Sequence, residues 1–412
     1  MGKKNSGASW QQIAGILSMV GGILLTAPPA WSIDSDTLLK LLIRKGLITE
    51  EDIAQVETEL APKQTEGVQP PAALEERLTK LEQTAGDKST IHVGHGTLKL
   101  GGLLQGWSVW DENDNDRFRV RRTEVKFSGD ILGDQMFKYT VMIDPVQVQE
   151  DNTRRSILQD ALFTIDHMSF LPHHKLDLGQ YKLPLTEEGL RSSAKLDTAE
   201  RSYIARTFGD QRDIGAMLTG DWPGVTYQAG VFNGSGQNQA DANDQKDVAG
   251  RIVVRPLKAL KLEEEYPDIG QIELGLSGYY RPDHGSTRDK KRLGYEARYE
   301  YKNLFLKWEY MFGQGTASAN ATSENSTKAT GWYAEAGYTL SPWIPKLEAV
   351  AKFESWDPNE LVSLDKERDL TLGLNYFINK ENAKVQLNYI HKDEQATEID
   401  NDQLIGALQY AY

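Results

Sequence analysis

Leu404-Ile405-Gly406-Ala407-Leu408-Gln409-Tyr410-Ala411-Tyr412 alternates without interruption. Leu404, Gly406, Leu408, Tyr410 and Tyr412 share one face, and Ile405, Ala407, Gln409 and Ala411 share the other. A period of two is the mark of a β-strand, which is stable only when its backbone groups are paired. With nothing after it in the sequence to pack over the aromatic face, the expected cover is lipid.

Composition tests that expectation. The 412 residues have a mean hydropathy of −0.53. Beyond the N-terminus no run approaches the roughly 18–20 continuous apolar residues of a membrane helix. A helical membrane protein is excluded. A transmembrane β-barrel passes the same test, because its strands alternate lipid-facing apolar residues with polar lumen residues. The chain has no cysteine, so disulfide and thiol chemistry are excluded as well.

The N-terminus reads as an export address. Lys3 and Lys4 precede an apolar run from Ile13 to Ala27, and Ala30-Trp31-Ser32 places small residues where a cleavage site needs them. Residues 1–32 are therefore expected to be a signal peptide, a membrane anchor being the alternative. Their removal takes away two lysines and no acidic residue, leaving a formal charge of −16. Residues 33–90 read as a helical periplasmic segment. Leu38, Leu39, Leu41, Leu42 and Ile43 run up to Gly46, a residue suited to ending a helix, and Thr49 opens the next one. Leu74, Leu78 and Leu81 then form a seam too short to separate a coiled coil from a solvated helical linker.

From residue 91 to 412 one pattern repeats. Leu304, Leu306, Trp308, Tyr310 and Phe312 face away from Lys307 and Glu309; Leu370, Leu372, Leu374, Tyr376 and Ile378 alternate with Thr371, Gly373 and Asn375. Segments of about ten residues suit a tilted strand crossing a bilayer. Sixteen are expected, at 95–110, 117–130, 135–145, 156–166, 174–183, 213–222, 225–234, 246–256, 271–281, 292–302, 304–313, 330–340, 346–356, 366–378, 383–392 and 402–412. In the second of these the apolar register slips between Phe118/Val120 and Val125/Phe127, which predicts a β-bulge.

Tight turns (Pro223-Gly224, Lys302-Asn303, Ser341 to Pro345, Asn379 to Asn382) alternate with longer polar connections, as in barrels with short periplasmic turns and long external loops. The connection 257–270 breaks that rule. Tyr and Trp, 17 and 9 in number, supply interfacial girdles. The fold class expected is an all-β transmembrane barrel of about sixteen antiparallel strands with a short helical N-terminal extension.

From Gly101 onward the chain resembles the phosphate-selective porin family, the O and P porins of bacterial outer membranes. The residues that carry the resemblance are Arg117-Phe118-Arg119-Val120-Arg121-Arg122, Val125-Lys126-Phe127-Ser128-Gly129, Gly179-Gln180-Tyr181-Lys182-Leu183-Pro184-Leu185, Ser192-Ser193-Ala194-Lys195, Ala199-Glu200-Arg201, Asp213-Ile214-Gly215-Ala216 and Gly230-Val231-Phe232-Asn233-Gly234. The resemblance implies a homotrimer of sixteen-stranded barrels in which the loop after the fifth strand folds into the lumen. It implies passive diffusion of small hydrophilic solutes, with anions such as phosphate preferred; a non-selective or cation-tolerant porin is the alternative.

Residues 183–212 fit such a loop. They are too long for a hairpin connection and carry Arg191, Lys195, Arg201, Arg206 and Arg212 against Glu187, Glu188, Asp197, Glu200 and Asp210, five of each sign. A transverse field is expected across the pore. Candidate anion-binding residues are Arg119, Arg121, Arg122, Lys126, Lys182, Arg191, Lys195, Arg201 and Arg206, because an arginine fork suits phosphate and basic groups replace lost hydration. Only half of a consecutive strand run faces the lumen. Arg119 and Arg121, opposite in parity to Phe118 and Val120, are therefore preferred; the alternative for Arg117 or Arg122 is pairing with carboxylates on neighbouring strands or a place at the lipopolysaccharide interface.

No metal or cofactor site is expected: His92, His95 and the pair His173-His174 lack ligand spacing, and Gly-x-Ser-x-Gly, P-loop and His-Glu-x-x-His motifs are missing. The expected partners are outer-membrane lipid, lipopolysaccharide and small anions, without nucleic acid. An outer-membrane barrel enzyme and an adhesive envelope barrel remain the competing classes.

Overall fold

The alternating segments pair with one another in sequence order and close into a ring. The computed structural model describes residues 90–412 except 134–135, 147–156, 242, 263–264, 267, 283–289, 315–327, 342 and 396–398. The expected signal peptide and helical segment lie outside the described residues, apart from Thr90.

The strands are β1 (Thr90–Val93), β2 (Gly96–Asp111), β3 (Arg117–Asp130), β4 (Phe137–Ile143), β5 (Leu158–Ile165), β6 (His174–Lys182), β7 (Arg212–Trp222), β8 (Val225–Phe232) and β9 (Asp247–Val254). They continue with β10 (Gln271–Arg281), β11 (Lys290–Tyr301), β12 (Leu304–Gln314), β13 (Lys328–Thr339), β14 (Leu347–Asp357), β15 (Glu367–Asn379), β16 (Ala383–Glu394) and β17 (Gln403–Ala411). Among the described residues four short helical turns lie in connections: α1 (Glu187–Leu190), a 3-10 turn (Ser193–Lys195), a π turn (Ala205–Gly209) and α2 (Pro256–Ala259).

Strands β2 to β17 are the sixteen expected, each paired antiparallel with its neighbours. The ring closes where Gln403 to Ala411 run against Asp111 to Leu103. Tyr412 and Gly102 exchange both backbone hydrogen bonds at 3.1 and 3.0 Å, extending that seam by one residue. Closure removes the two free edges that an open sheet would leave unpaired. The short β1, not anticipated from the sequence, folds back on the first residues of β2, with Thr90 opposite Lys99.

The sheet is inside-out relative to a water-soluble barrel. On β15, Leu370, Leu372 and Leu374 are exposed on the outer surface, whereas Thr371 and Asn375, on the alternate positions, are buried on the lumen side. Leu408, Tyr410 and Tyr412 likewise face outward and Ile405, Ala407 and Gln409 inward. A band of exposed Leu, Val, Phe and Tyr around a charged interior is stable when hydrocarbon is the outer solvent. Among the described residues no helix is long and apolar enough to cross a membrane.

The turns at 223–224, 302–303 and 379–382 share one end of the barrel with the C-terminal end of β17, where the Ala411 N–H donates to the Asn382 carbonyl at 2.6 Å. The exceptional connection after β9 stays at the short-turn end. There α2 stacks beneath the β7–β8 turn, with the Arg255 N–H donating to the Gly224 carbonyl at 2.7 Å. Gly224 has φ +81°, and a Cβ on it would stand 2.4 Å from the Ala259 nitrogen. Only glycine serves both the turn and the contact.

The register slip in β3 is a bulge. Gln105 pairs with Arg122 and Gly106 with Val120, so Arg121 is the extra residue. One inserted residue shifts the parity of everything beyond it.

Candidate pore constriction

The connection 183–211 between β6 and β7 turns into the barrel instead of away from it. A segment taken out of water needs a partner for each backbone polar group, and a loop has no sheet to supply them. Here the wall does. Glu309 of β12 accepts from the Glu187 and Glu188 N–H groups, both at 2.9 Å, and so caps α1 from outside the loop. Within it, the Thr186 hydroxyl accepts from the Gly189 N–H at 3.0 Å. Asn388 accepts from the Ala199 N–H and Glu354 from the Tyr203 N–H, both at 2.6 Å.

Loop carbonyls are matched by wall donors. Lys384 Nζ reaches the Leu196 carbonyl at 2.7 Å, Lys352 Nζ that of Glu200 at 2.9 Å, and Gln409 Nε2 that of Ala194 at 2.9 Å. The underside is apolar: Leu185, Ile204 and Phe208 are buried with Met217, Phe232, Met311, Tyr333 and Trp356 from the lumen face of the strands. The loop thus has its own small core inside the barrel.

The bulge decides the fate of the arginine run. Arg119, Arg121 and Arg122 all turn to the lumen side, so the expectation that Arg122 would lose to parity is corrected. Arg119 and Arg121 lie over the Trp107 ring at 5.2 and 5.4 Å. Arg121 directs Nε and Nη2 at one oxygen of Glu200, at 3.1 and 2.9 Å. Arg122 is buried, donates to Gln105 at 2.7 Å and stands 3.5 Å from the other Glu200 oxygen. Its carboxylate partner is in the loop and not on a neighbouring strand. Arg117 pairs with Asp114 at the mouth, 2.8 Å away.

Three further candidates tie the loop together. Lys182 donates to the Gly189 carbonyl and pairs with Asp210, each at 2.6 Å. Arg191 pairs with Glu187 and stands 3.8 Å from Asp197. Arg201, expected to line the pore, is 2% exposed. Its guanidinium donates to the Glu188 and Arg191 carbonyls at 3.1 and 2.8 Å and pairs with Asp210 at 3.4 Å. Arg206 is exposed, 4.6 Å above the Tyr203 ring. Lys126 and Lys195 are also exposed.

The loop carboxylates are strongly stabilised as anions. Burial by itself would raise the Glu200 and Asp210 pKa values. Arg121, Arg122 and Arg206 around the first, and Lys182, Arg201 and Arg212 around the second, hold both well below the usual carboxylate range.

A cavity of about 230 Å³ opens between the loop and the β2–β3 and β14–β17 walls. Its lining brings Arg117, Arg119, Arg201, Arg206, Lys352 and Lys392 to Glu200, Glu354 and Asp369, six cations to three carboxylates. Beside α1 the balance reverses: Glu187, Glu273, Glu296 and Glu309 meet Arg298 and Lys307. The wall residues Lys307, Glu309, Lys352 and Lys384 were not singled out from the sequence. Their signal was a charge at an inward-facing strand position.

A closed sixteen-stranded barrel with an apolar exterior, a charged interior and an inward-folded loop is an outer-membrane porin. The chain belongs to the phosphate-selective porin O and P family, whose model matches residues 108–412. An uncharacterized protein of Aquifex aeolicus is 23% identical over 272 residues, 59% of this chain and 65% of that relative, so the match spans just under two thirds of the relative's own length. Among solved structures, the outer-membrane channel DcaP of Acinetobacter baumannii matches with TM-score 0.55 at 11% identity, covering 77% of this chain and 97% of that one. The anion-selective porin of Comamonas acidovorans gives 0.54 at 11% identity, covering 77% and 100%. The trimer form of the Vibrio cholerae outer-membrane protein OmpT gives 0.51 at 12% identity, also covering 77% and 100%. At these identities the likeness is one of fold.

Proposed function

We propose that this porin is a passive diffusion channel that prefers small anions, phosphate-like oxyanions among them, and works as a homotrimer. The observation that carries the reading is the cavity beside the loop, where cationic side chains outnumber carboxylates two to one. An ion leaving bulk water needs groups that replace its hydration, and guanidinium forks do this for oxyanions while repelling cations. Arg119, Arg206, Lys126 and Lys195 are the groups assigned to the permeation path; Arg121 and Arg122 reinforce them from the wall. Lys182, Arg191 and Arg201 are assigned to holding the loop. Lipid covers the outer surface, with lipopolysaccharide around the external loops. The anion-selective Comamonas porin and the trimeric OmpT support the reading as relatives in fold.

The chain's formal charge of −14 opposes anions at long range. Screening over roughly 8–10 Å leaves the local lining in control at physiological salt.

Planar bilayers test this. Wild type should insert as triplets of equal conductance steps, with a reversal potential in a KCl gradient that reports anion preference. The double substitution Arg119→Gln/Arg206→Gln should lower the anion-to-cation permeability ratio about two- to thirtyfold, given roughly 0.2–1 kcal/mol for each partly exposed charge. An unchanged ratio sinks the assignment.

A further inference from the structure

Glu200 stands out among the loop carboxylates because of what lies behind it. Its carboxylate forms part of the wall of the cation-rich cavity, whereas Arg121 and Arg122 do not line that cavity. Oε2 takes both Nε and Nη2 of Arg121, the edge of the guanidinium that an incoming oxyanion would use, and Oε1 lies 3.5 Å from Arg122. The contact is not sealed: the Arg121 and Glu200 side chains are 12% and 21% exposed. The Glu200 backbone is fixed separately, its carbonyl held by Lys352 at 2.9 Å and by the Thr198 hydroxyl at 2.9 Å. The carboxylate is therefore a tethered anion at fixed reach, its Oε1 also accepting from the Arg201 N–H at 3.1 Å.

We infer that Glu200 is a built-in competing anion, which screens Arg121 and Arg122 from permeating oxyanions and so sets how tightly, and for how long, the channel holds them. This deepens the anion-channel reading and rests on it. An oxyanion entering the cavity meets Arg119, Arg206 and Lys392 directly, but it gains the Arg121 fork only by displacing Glu200. The carboxylate, which cannot diffuse away, then returns and expels it. A site of unscreened arginines would bind oxyanions firmly and pass them slowly, whereas conduction requires binding weak enough to release. No bond is made or broken, and the exchange is one of hydrogen-bonded ion pairs.

The experiment is block of chloride current by inorganic phosphate in planar bilayers, using the whole chain. In Glu200→Gln the half-blocking phosphate concentration should fall about three- to tenfold, the anion-to-cation permeability ratio should rise, and the current carried by phosphate alone should drop. Glu200→Asp keeps the charge and should restore the wild-type half-blocking concentration to within about twofold. Asn388→Ala removes the acceptor of the neighbouring Ala199 N–H without changing any charge, so it isolates the mechanical consequence of loosening this stretch: more open-channel noise. If Glu200→Gln leaves phosphate block unchanged, or does no more than Asn388→Ala, the inference is overturned and the porin reading stands. A wild type that conducts chloride no better than potassium overturns the anion reading itself.

Discussion

At the scale of single residues, the interior uses its charges for two purposes, and exposure separates them. Arg201 and Arg206 are five positions apart in the loop. One is buried among carbonyls and Asp210, and the other stands on a tyrosine ring at the edge of the cavity. Asp210 ties Lys182, Arg201 and Arg212 together, at 2.6, 3.4 and 3.7 Å. Those cations hold its carboxyl below the usual range against the upward push of burial, so its contribution to loop docking is present above the ordinary aspartate pKa of about 3.9 and is lost as pH falls through the lower folded value. Asp210→Asn should weaken docking by about 1–3 kcal/mol. The difference between wild type and variant in protease resistance of residues 183–211 should stay constant from about pH 8 to pH 4 and shrink below that. A difference that vanishes already at neutral pH would refute the assignment.

At the scale of elements, two local devices shape the constriction. The bulge in β3 inserts Arg121 and thereby puts two successive arginines on one side of a strand. The loop in turn closes on itself where Thr186 packs between Gly189 and Gly209. A Cβ on Gly209 would stand 1.8 Å from the Thr186 hydroxyl oxygen and 2.9 Å from its Cβ. Gly209→Ala should therefore push the two ends of the loop apart, at a cost of about 1–3 kcal/mol for overpacking. Faster proteolysis within the loop and larger conductance fluctuations should follow, while heat denaturation of the barrel stays as in wild type. Loss of the whole barrel would show that loop and wall fold as one unit.

At the scale of the whole molecule, the barrel's stability depends on lipid meeting only apolar side chains. Leu372 sits midway along β15 and is 49% exposed on the outer face, flanked by the inward Thr371 and Gly373. Leu372→Arg should destabilise the folded barrel by about 2–4 kcal/mol, the cost of a basic side chain near the bilayer midplane. Urea titration in lipid vesicles, followed by the slower migration of unfolded barrel on gels, measures it. A change under 1 kcal/mol would place this face against protein or water and not hydrocarbon.

Much of this architecture is legible in the residues. Leu304 to Phe312 and Leu370 to Ile378 each state their own strand and its two faces, because alternation is local and each tight turn is marked by its own residues. The same locality exposed the slip in β3. It could not say which way the arginines beyond the slip would point, since parity after a bulge depends on where the extra residue falls against β2.

The sequence by itself therefore determined the barrel, its sixteen staves, the closing strand Leu404–Tyr412 and the inward loop as an expectation, through patterns that lie within ten or thirty residues. Only the tertiary structure decided which charges face the cavity and which hold the loop. Glu200 meets Arg121 and Lys352, and Ala199 meets Asn388, across 79, 152 and 189 residues of chain. A buried backbone group or charge is satisfied by whatever the fold brings to it, and no local pattern encodes that pairing.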